Sequence, residues 1–283
     1  MSRSPLLTLT ALVLPLLAGC NGMNWVRHER SFEFSKPVNS ANSLDVQLTN
    51  GDVSVVVTPG GGSELRAKGR IFANAGTVEG AKRLADQSEL TIEPTVDGAT
   101  GSAGSRTLYV RLKRPADITT GSVNADVELT LPASMSLTLQ STNGGITVES
   151  NSAPVTAKST NAKIRISEQS GDVVATTTNG AIEIKSLGGG VKCSSTNGRV
   201  RIVANPNASE RIRAKSSNGP INAEFPKLAG ATLHTKTTNG DVTVWQNGSK
   251  APEVRQAADA DSAQIDLKTT NADISVSFGP ASK

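Results

Sequence analysis

The sequence predicts an all-β, single-domain, β-solenoid-like fold of stacked coils of about 18 residues, with a short helix in a less regular N-terminal part. Composition points that way first: 26 glycines in 283 residues and only 3% aromatic side chains suit short strands, many turns and a core of small and β-branched residues. A Ser/Thr-Asn-Gly/Ala triplet then recurs at Asn50, Asn143, Asn161, Asn179, Asn197, Asn218, Asn239 and Asn271, with a spacing of 18 residues from Asn143 to Asn197. Around each Asn, finally, apolar residues alternate. Around Asn197 they are Val191 and Cys193 before it and Val200 and Ile202 after it, a period of two that turns one face inward.

The chain opens with Arg3, an apolar run from Leu6 to Leu17, and Leu17-Ala18-Gly19-Cys20, the charged, apolar and small-residue segments of an export signal. The run is too short to read as a permanent membrane span. Its last four residues resemble the bacterial lipoprotein box. That resemblance implies a signal peptide over 1–19, lipidation of Cys20, and stable membrane attachment through several acyl chains. Asn21 is not the Asp that retains some lipoproteins at the inner membrane, so the resemblance implies the outer membrane in a cell that has one. Cys193 is then left without an intrachain partner, and stability must come from packing rather than disulfides.

Residues 20–30 read as a linker. An N-terminal β region and cap follows over 31–140, holding a first copy of the motif at Asn50, the break "TPGGGS", the strand "ELRAKGRIF" and a helix within "TVEGAKRLADQSEL". Strands "ELTIEP", "TLYVRLKR" and "ADVELTLP" complete this part, with a Gly/Ser/Ala loop near 97–106. The solenoid repeats span 141–278, with insertions near 204, near 225 and from 246 to 263.

A meander of hairpins turning at each Asn-Gly would satisfy the alternation too. Turn chemistry favours stacked coils, because a type I′ turn needs φ > 0 at both central residues while Ala162 and Ala272 replace the glycine. The Asn never changes. Either it holds a left-handed conformation, or its amide is the corner's functional group and bonds the backbone or the Asn of the next coil. Asn143, Asn161, Asn179, Asn197, Asn218, Asn239 and Asn271 are therefore the expected corner residues.

The recurring "TNG", the segment "LPASMSLTLQSTNGGITV" and the early "LDVQLTNGDVSVVV" resemble the bacterial adhesin-like β-strand repeat family, domain of unknown function 4097. The resemblance covers about residues 31 to 278. It implies a solenoid-like fold in a cell-envelope protein, and supplies no catalytic residue to carry over.

Little chemistry is legible. His28 falls in the linker and His234 beside a strand, neither with Cys or paired carboxylates at ligand spacing, so no metal and no cofactor is expected. Cys193 shares its register with Ala157, Ala175 and Ala214, which makes it a core residue rather than a nucleophile. "TPGGGS" lacks the Lys-Ser/Thr of a phosphate loop. Asp241 and Asp273 occupy one register in neighbouring repeats, the nearest approach to the paired acids of a polysaccharide-cleaving β-helix. A net charge of +4 without a dense basic run or aromatic platform argues against nucleic acid.

A basic row stands out. Lys158, Lys215, Lys236 and Lys268 lie three positions before their Asn, and Lys163, Arg165, Arg199 and Arg201 point outward after theirs. Stacked at coil spacing, Lys215, Lys236 and Lys268 form a strip suited to an anionic polymer or lipid head groups, although the outer face of any solenoid needs charge for solubility. The expected function is a lipid-anchored, non-catalytic binding or structural module of the envelope. The alternatives are a carbohydrate-active enzyme, or a scaffold binding an envelope protein through the 246–263 insertion.

Overall fold

The computed structural model describes residues 25–38, 41–58, 63–96, 106–205, 210–226, 232–251 and 263–279. Cys20 and the whole signal segment lie outside them, as do most of "TPGGGS", the 97–105 loop and the greater part of the three insertions. The chain divides into two compact units, Met1–Ala133 and Ser134–Lys283.

The first unit contains strands β1 (Val26–Pro37), β2 (Ser43–Leu48), β3 (Val53–Val57) and β4 (Glu64–Ala75), helix α1 (Val78–Gln87), and strands β5 (Glu89–Val96), β6 (Arg106–Lys113) and β7 (Ser122–Leu131). Strand β4 pairs antiparallel with β1 and β7, and β7 pairs parallel with β3. Strand β6 joins β2 in parallel and β5 antiparallel.

Thr77 caps α1 by accepting the Gly80 N–H at 3.0 Å. Ala81, Leu84 and Ala85 are the buried stripe of the helix, and the last two pack with Ala73, Ile118 and Val123. Arg30 on β1 donates to the carbonyls of Ala85 and Ser88, so a cation caps the helix's C-terminal end. This explains a difference from the sequence reading. β1 starts at Val26, inside the expected linker, and His28 is buried within it, its Nε2 3.9 Å from Asp86. The alternation of Val26, His28, Arg30 and Phe32 is masked by a buried His and a capping Arg, so the strand does not look apolar in sequence.

The described residues of the second unit form seven strand pairs, each with a leading strand before its Asn and a trailing strand after it. They are β8 (Ser136–Ser141) and β9 (Ile146–Glu149), β10 (Val155–Ser159) and β11 (Ile164–Gln169), β12 (Val173–Thr177) and β13 (Ile182–Ser186), and β14 (Val191–Ser195) and β15 (Val200–Ala204). Then come β16 (Arg211–Ser216) and β17 (Ile221–Phe225), β18 (Thr232–Lys236) and β19 (Val242–Gln246), a short β20 (Ser249–Ala251), and β21 (Gln264–Lys268) and β22 (Ile274–Phe278).

Successive coils pair in parallel and in register: Val155↔Val173↔Val191↔Ile212 on the leading side, and Ile146↔Ile164↔Ile182↔Val200↔Ile221 on the trailing side. The hairpin alternative is thereby excluded, because Val200 pairs with Ile182 and Ile221 rather than with Ser195. The core is thin and made of small and β-branched residues. Val173, Ala175, Ile182 and Ile184 are each at most 2% exposed, and the equivalent residues of neighbouring coils are alike.

The spatial order departs from chain order at the far end. β21 lies between β16 and β18, and β22 between β17 and β19, so the last coil in sequence inserts before the penultimate one. Phe225 and Phe278 stack across that junction, ring centroids 5.5 Å apart. Core chemistry explains the exchange. The inserted coil offers Ile265, Leu267, Ile274 and Val276, all fully buried, whereas the outer coil places Thr235 at the equivalent of Leu267 and leaves Val242 half-buried. The more apolar coil takes the position covered on both sides.

The corners form an amide ladder. Nδ2 of Asn161 donates to Oδ1 of Asn143 at 2.6 Å, Asn179 to Asn161 at 2.8 Å, Asn197 to Asn179 at 2.7 Å, and Asn218 to Asn197 at 2.7 Å. Asn271 then donates to Asn218 and Asn239 to Asn271, both at 2.8 Å. Of the two roles open to the invariant Asn, this is the second. The described non-glycine residues with left-handed φ are Ser150, Glu168 and Asn247, none of them in the ladder.

Below the five rungs from Asn143 to Asn218 a buried Ser or Thr hydroxyl accepts the N–H that follows the Asn, from Ser141, Ser159, Thr177, Ser195 and Ser216 to residues 144, 162, 180, 198 and 219, at 2.9–3.2 Å. At residue 198 the glycine is required by proximity. A Cβ on Gly198 would lie 1.7 Å from the carbonyl oxygen of Gly180.

Candidate anion-binding face

The outward side of the leading strands changes character along the second unit. On β8, β10 and β12 it carries Ser136, Thr138, Gln140, Thr156, Lys158, Val174 and Thr176, with one charge among them. On β14, β16, β21 and β18 it carries Lys192, Arg211, Arg213, Lys215, Lys268 and Lys236, against the single carboxylate of Asp266. Strand alternation puts all of these on one face, because the intervening Cys193, Ile212, Ala214, Ile265, Leu267 and Leu233 are buried.

Register brings the three lysines into contact range in the order Lys215, Lys268, Lys236. Lys215 pairs with Lys268, and Lys268 with Lys236. All three are exposed, and among the described residues none has a carboxylate within ion-pair distance. Arg213 is the compensated member, its Nε 3.4 Å from Asp266. Like charges at the inter-strand spacing of about 4.8 Å repel by roughly 1 kcal/mol per neighbouring pair even in a water-like dielectric, so the row works against the fold that carries it. Lys158 stands apart, paired with Gln140 and Thr176.

The trailing strands are treated differently. Glu183 sits between Lys163 at 2.7 Å and Arg165 at 3.1 Å, and Arg201 meets Glu224 at 2.9 Å. The hydrogen bond from Lys163 is the main force holding the Glu183 carboxyl below its ordinary range; burial opposes it, and the charges of Lys163 and Arg165 add to it. Most of the basic residues expected on this side are thus partnered.

Lys192, Arg211 and Arg213 do not stand at the position three before the Asn that Lys158, Lys215, Lys236 and Lys268 share. The signal was present: they stand two or four residues before that position or its neighbour in register, on the same alternating face. The order of the strip was readable too, in Thr235 occupying a core position.

The acids assemble no separate centre among the described residues. Asp241 and Asp273 do lie side by side, and Oδ1 of Asp273 accepts the Asp241 N–H at 2.9 Å, a corner bond. In the first unit a groove of about 500 Å³ is lined by Glu33, Asp52, Asp126 and Glu128 with Lys68 and Arg70. There Asp126 binds Arg70 at 3.0 Å and accepts the Asp52 N–H, while Glu128 binds Lys68 at 2.9 Å. Cys193 is fully buried between Ala175 and Ala214, and burial pushes its thiol pKa up to about 12, the opposite of what a nucleophile needs. No group of three or more metal-ligating side chains occurs among the described residues.

Residues 172–277 match the model of the family described as Toastrack DUF4097. This part of the chain is similar to that family. The resemblance seen in the repeats is borne out there, over the coils that bear the basic face. Among solved structures, a "putative adhesin" from Bacteroides fragilis is 10% identical with a TM-score of 0.41, the match covering 88% of this chain and 97% of that one. A "putative adhesin" from Parabacteroides merdae is 10% identical with a TM-score of 0.36, covering 88% and 95%. A "putative cell adhesion protein" from Clostridium sporogenes is 11% identical with a TM-score of 0.32, covering 88% and 100%. No curated protein matches the chain.

Proposed function

We propose that this protein is an exported, lipid-anchored, non-catalytic adhesin-like module that holds an anionic envelope polymer against the basic face of its outermost coils. The anchor is Cys20, in the Leu-Ala-Gly-Cys context, and the absence of a retaining Asp at position 21 favours the outer membrane where the cell has one. One observation carries the binding reading: Lys215, Lys268 and Lys236 stand in register without carboxylate partners among the described residues, while Lys163, Arg165 and Arg201 of the other sheet are paired.

A polyanion relieves the mutual repulsion of the row as it binds. A rigid ladder presents the charges at fixed spacing, so little backbone freedom is lost on binding. The ligand favoured is a linear acidic glycan, since its charges repeat along one direction as the lysines do.

The test is binding of the folded domain to an acidic glycan, a neutral glycan and anionic vesicles across a salt series. Binding to the acidic glycan that weakens as salt screens the charges supports the reading. Binding to vesicles alone replaces the glycan with lipid head groups, and no binding to any anion at low salt refutes it.

A further inference from the structure

Seven of the chain's Asn-Gly pairs lie in described residues, and the structure divides those of the second unit into two chemical classes. Asn-Gly is the sequence in which the main-chain nitrogen of the glycine most easily attacks the preceding side-chain amide. For that attack the glycine N–H must be free to lose its proton, and the amide free to turn toward it.

In the interior of the ladder neither condition holds. The N–H groups of Gly144, Gly180, Gly198 and Gly219 donate to Ser141, Thr177, Ser195 and Ser216 at 2.9–3.1 Å. The amides of Asn179, Asn197 and Asn218 each donate to the rung before and accept from the rung after, at 2.7–2.8 Å. These asparagines are exposed, so burial does not protect them.

Asn247-Gly248 is built otherwise. It is the two-residue turn joining β19 and β20, with φ of 49° at Asn247 and 79° at Gly248, and both residues are exposed. The main-chain N–H of Asn247 is held by Phe278 O at 3.0 Å, but neither its side-chain amide nor the Gly248 N–H makes a hydrogen bond among the described residues.

We infer that Asn247 is a site of spontaneous deamidation and that the hydroxyl-backed amide ladder shields the interior Asn-Gly pairs from the same reaction. The deprotonated Gly248 nitrogen forms a bond to Cγ of Asn247. The Cγ–Nδ2 bond breaks and Nδ2 leaves as ammonia, taking up the proton. Water then opens the resulting five-membered imide at either carbonyl, giving aspartate or isoaspartate. The product adds one negative charge at the turn. Isoaspartate also adds a methylene to the main chain, which a two-residue turn cannot absorb without rearranging.

Asn239 ranks between the classes. It closes the ladder with its Oδ1 accepting no rung, and the Gly240 N–H has no hydroxyl acceptor among the described residues.

The experiment is peptide mass mapping of the full folded chain during incubation in mildly alkaline buffer, with a parallel sample unfolded in urea. In the folded chain Asn247 converts first and Asn239 second, with Asn179, Asn197 and Asn218 slower than Asn247 by about tenfold or more, as expected if a hydrogen bond must break before attack. In urea the rates converge. Gly248→Ala slows conversion at 247, and Ser195→Ala, with folding verified by its melting transition, accelerates conversion at 197 alone. Equal rates at 197 and 247 in the folded chain, or no effect of Ser195→Ala on 197, overturns the inference.

Discussion

Replacing Asn197 by Ala removes two rungs, the bond it donates to Asn179 and the bond it accepts from Asn218, both 2.7 Å. Replacing Asn239 by Ala removes one, its bond to Asn271 at 2.8 Å. A net hydrogen bond is worth about 0.5–1.5 kcal/mol, and these are solvent-exposed amides that water satisfies after mutation, so the lower half of that range applies. Asn197→Ala is expected to cost about 1–2 kcal/mol and Asn239→Ala about half of that.

The assay is urea unfolding of both variants at constant m, monitored by circular dichroism, since long arrays of repeats can lose two-state behaviour and m reveals it. Equal costs for Asn197→Ala and Asn239→Ala would refute the ladder as a stabilising element.

Gly198→Ala is expected to destabilise by about 1–3 kcal/mol, since its methyl would meet the Gly180 carbonyl at 1.7 Å; thermal melting checks it. Cys193 should resist thiol reagents in the folded state and react on unfolding. Because burial raises its pKa from 9.0 to about 12, its contribution to stability is intact below about pH 9 and is lost as pH rises toward 12, measurable as a falling unfolding midpoint. Leu267→Thr should cost about 3 kcal/mol or more by placing a hydroxyl in a fully buried site, whereas Thr235→Ala at the equivalent outer position should cost under about 1 kcal/mol. Similar costs would contradict the exchanged coil order.

Much of the second unit was legible because its period and its alternation agree: Val173, Ala175, Ile182 and Ile184 announce their faces, and a strict 18-residue step makes each copy align with the next. The amide ladder was one of two roles the unvarying Asn left open, and hydrogen-bond geometry chose between them. The coil exchange was not read because chain order is the default for a repeat. Only Thr235 at a core position marks the weaker coil, and a long connection lets the stronger one move inward. In the first unit β1 was missed because its inward positions hold His28 and Arg30, residues whose burial depends on Asp86 and on the helix end, both more than fifty residues away. For the basic face, three lysines were visible, but Lys192, Arg211 and Arg213 join them only once register and face are considered together.

The most direct test of the binding reading compares two sets of charge-neutralising substitutions for association with an acidic glycan at low and physiological salt. One set is Lys215→Gln, Lys268→Gln and Lys236→Gln together; the other is Lys163→Gln, Arg165→Gln and Arg201→Gln, which removes the same charge from the opposite sheet. The first set should abolish most of the salt-sensitive binding while the second leaves it nearly intact. Equal losses from the two sets would show attraction by net charge alone and contradict a dedicated face.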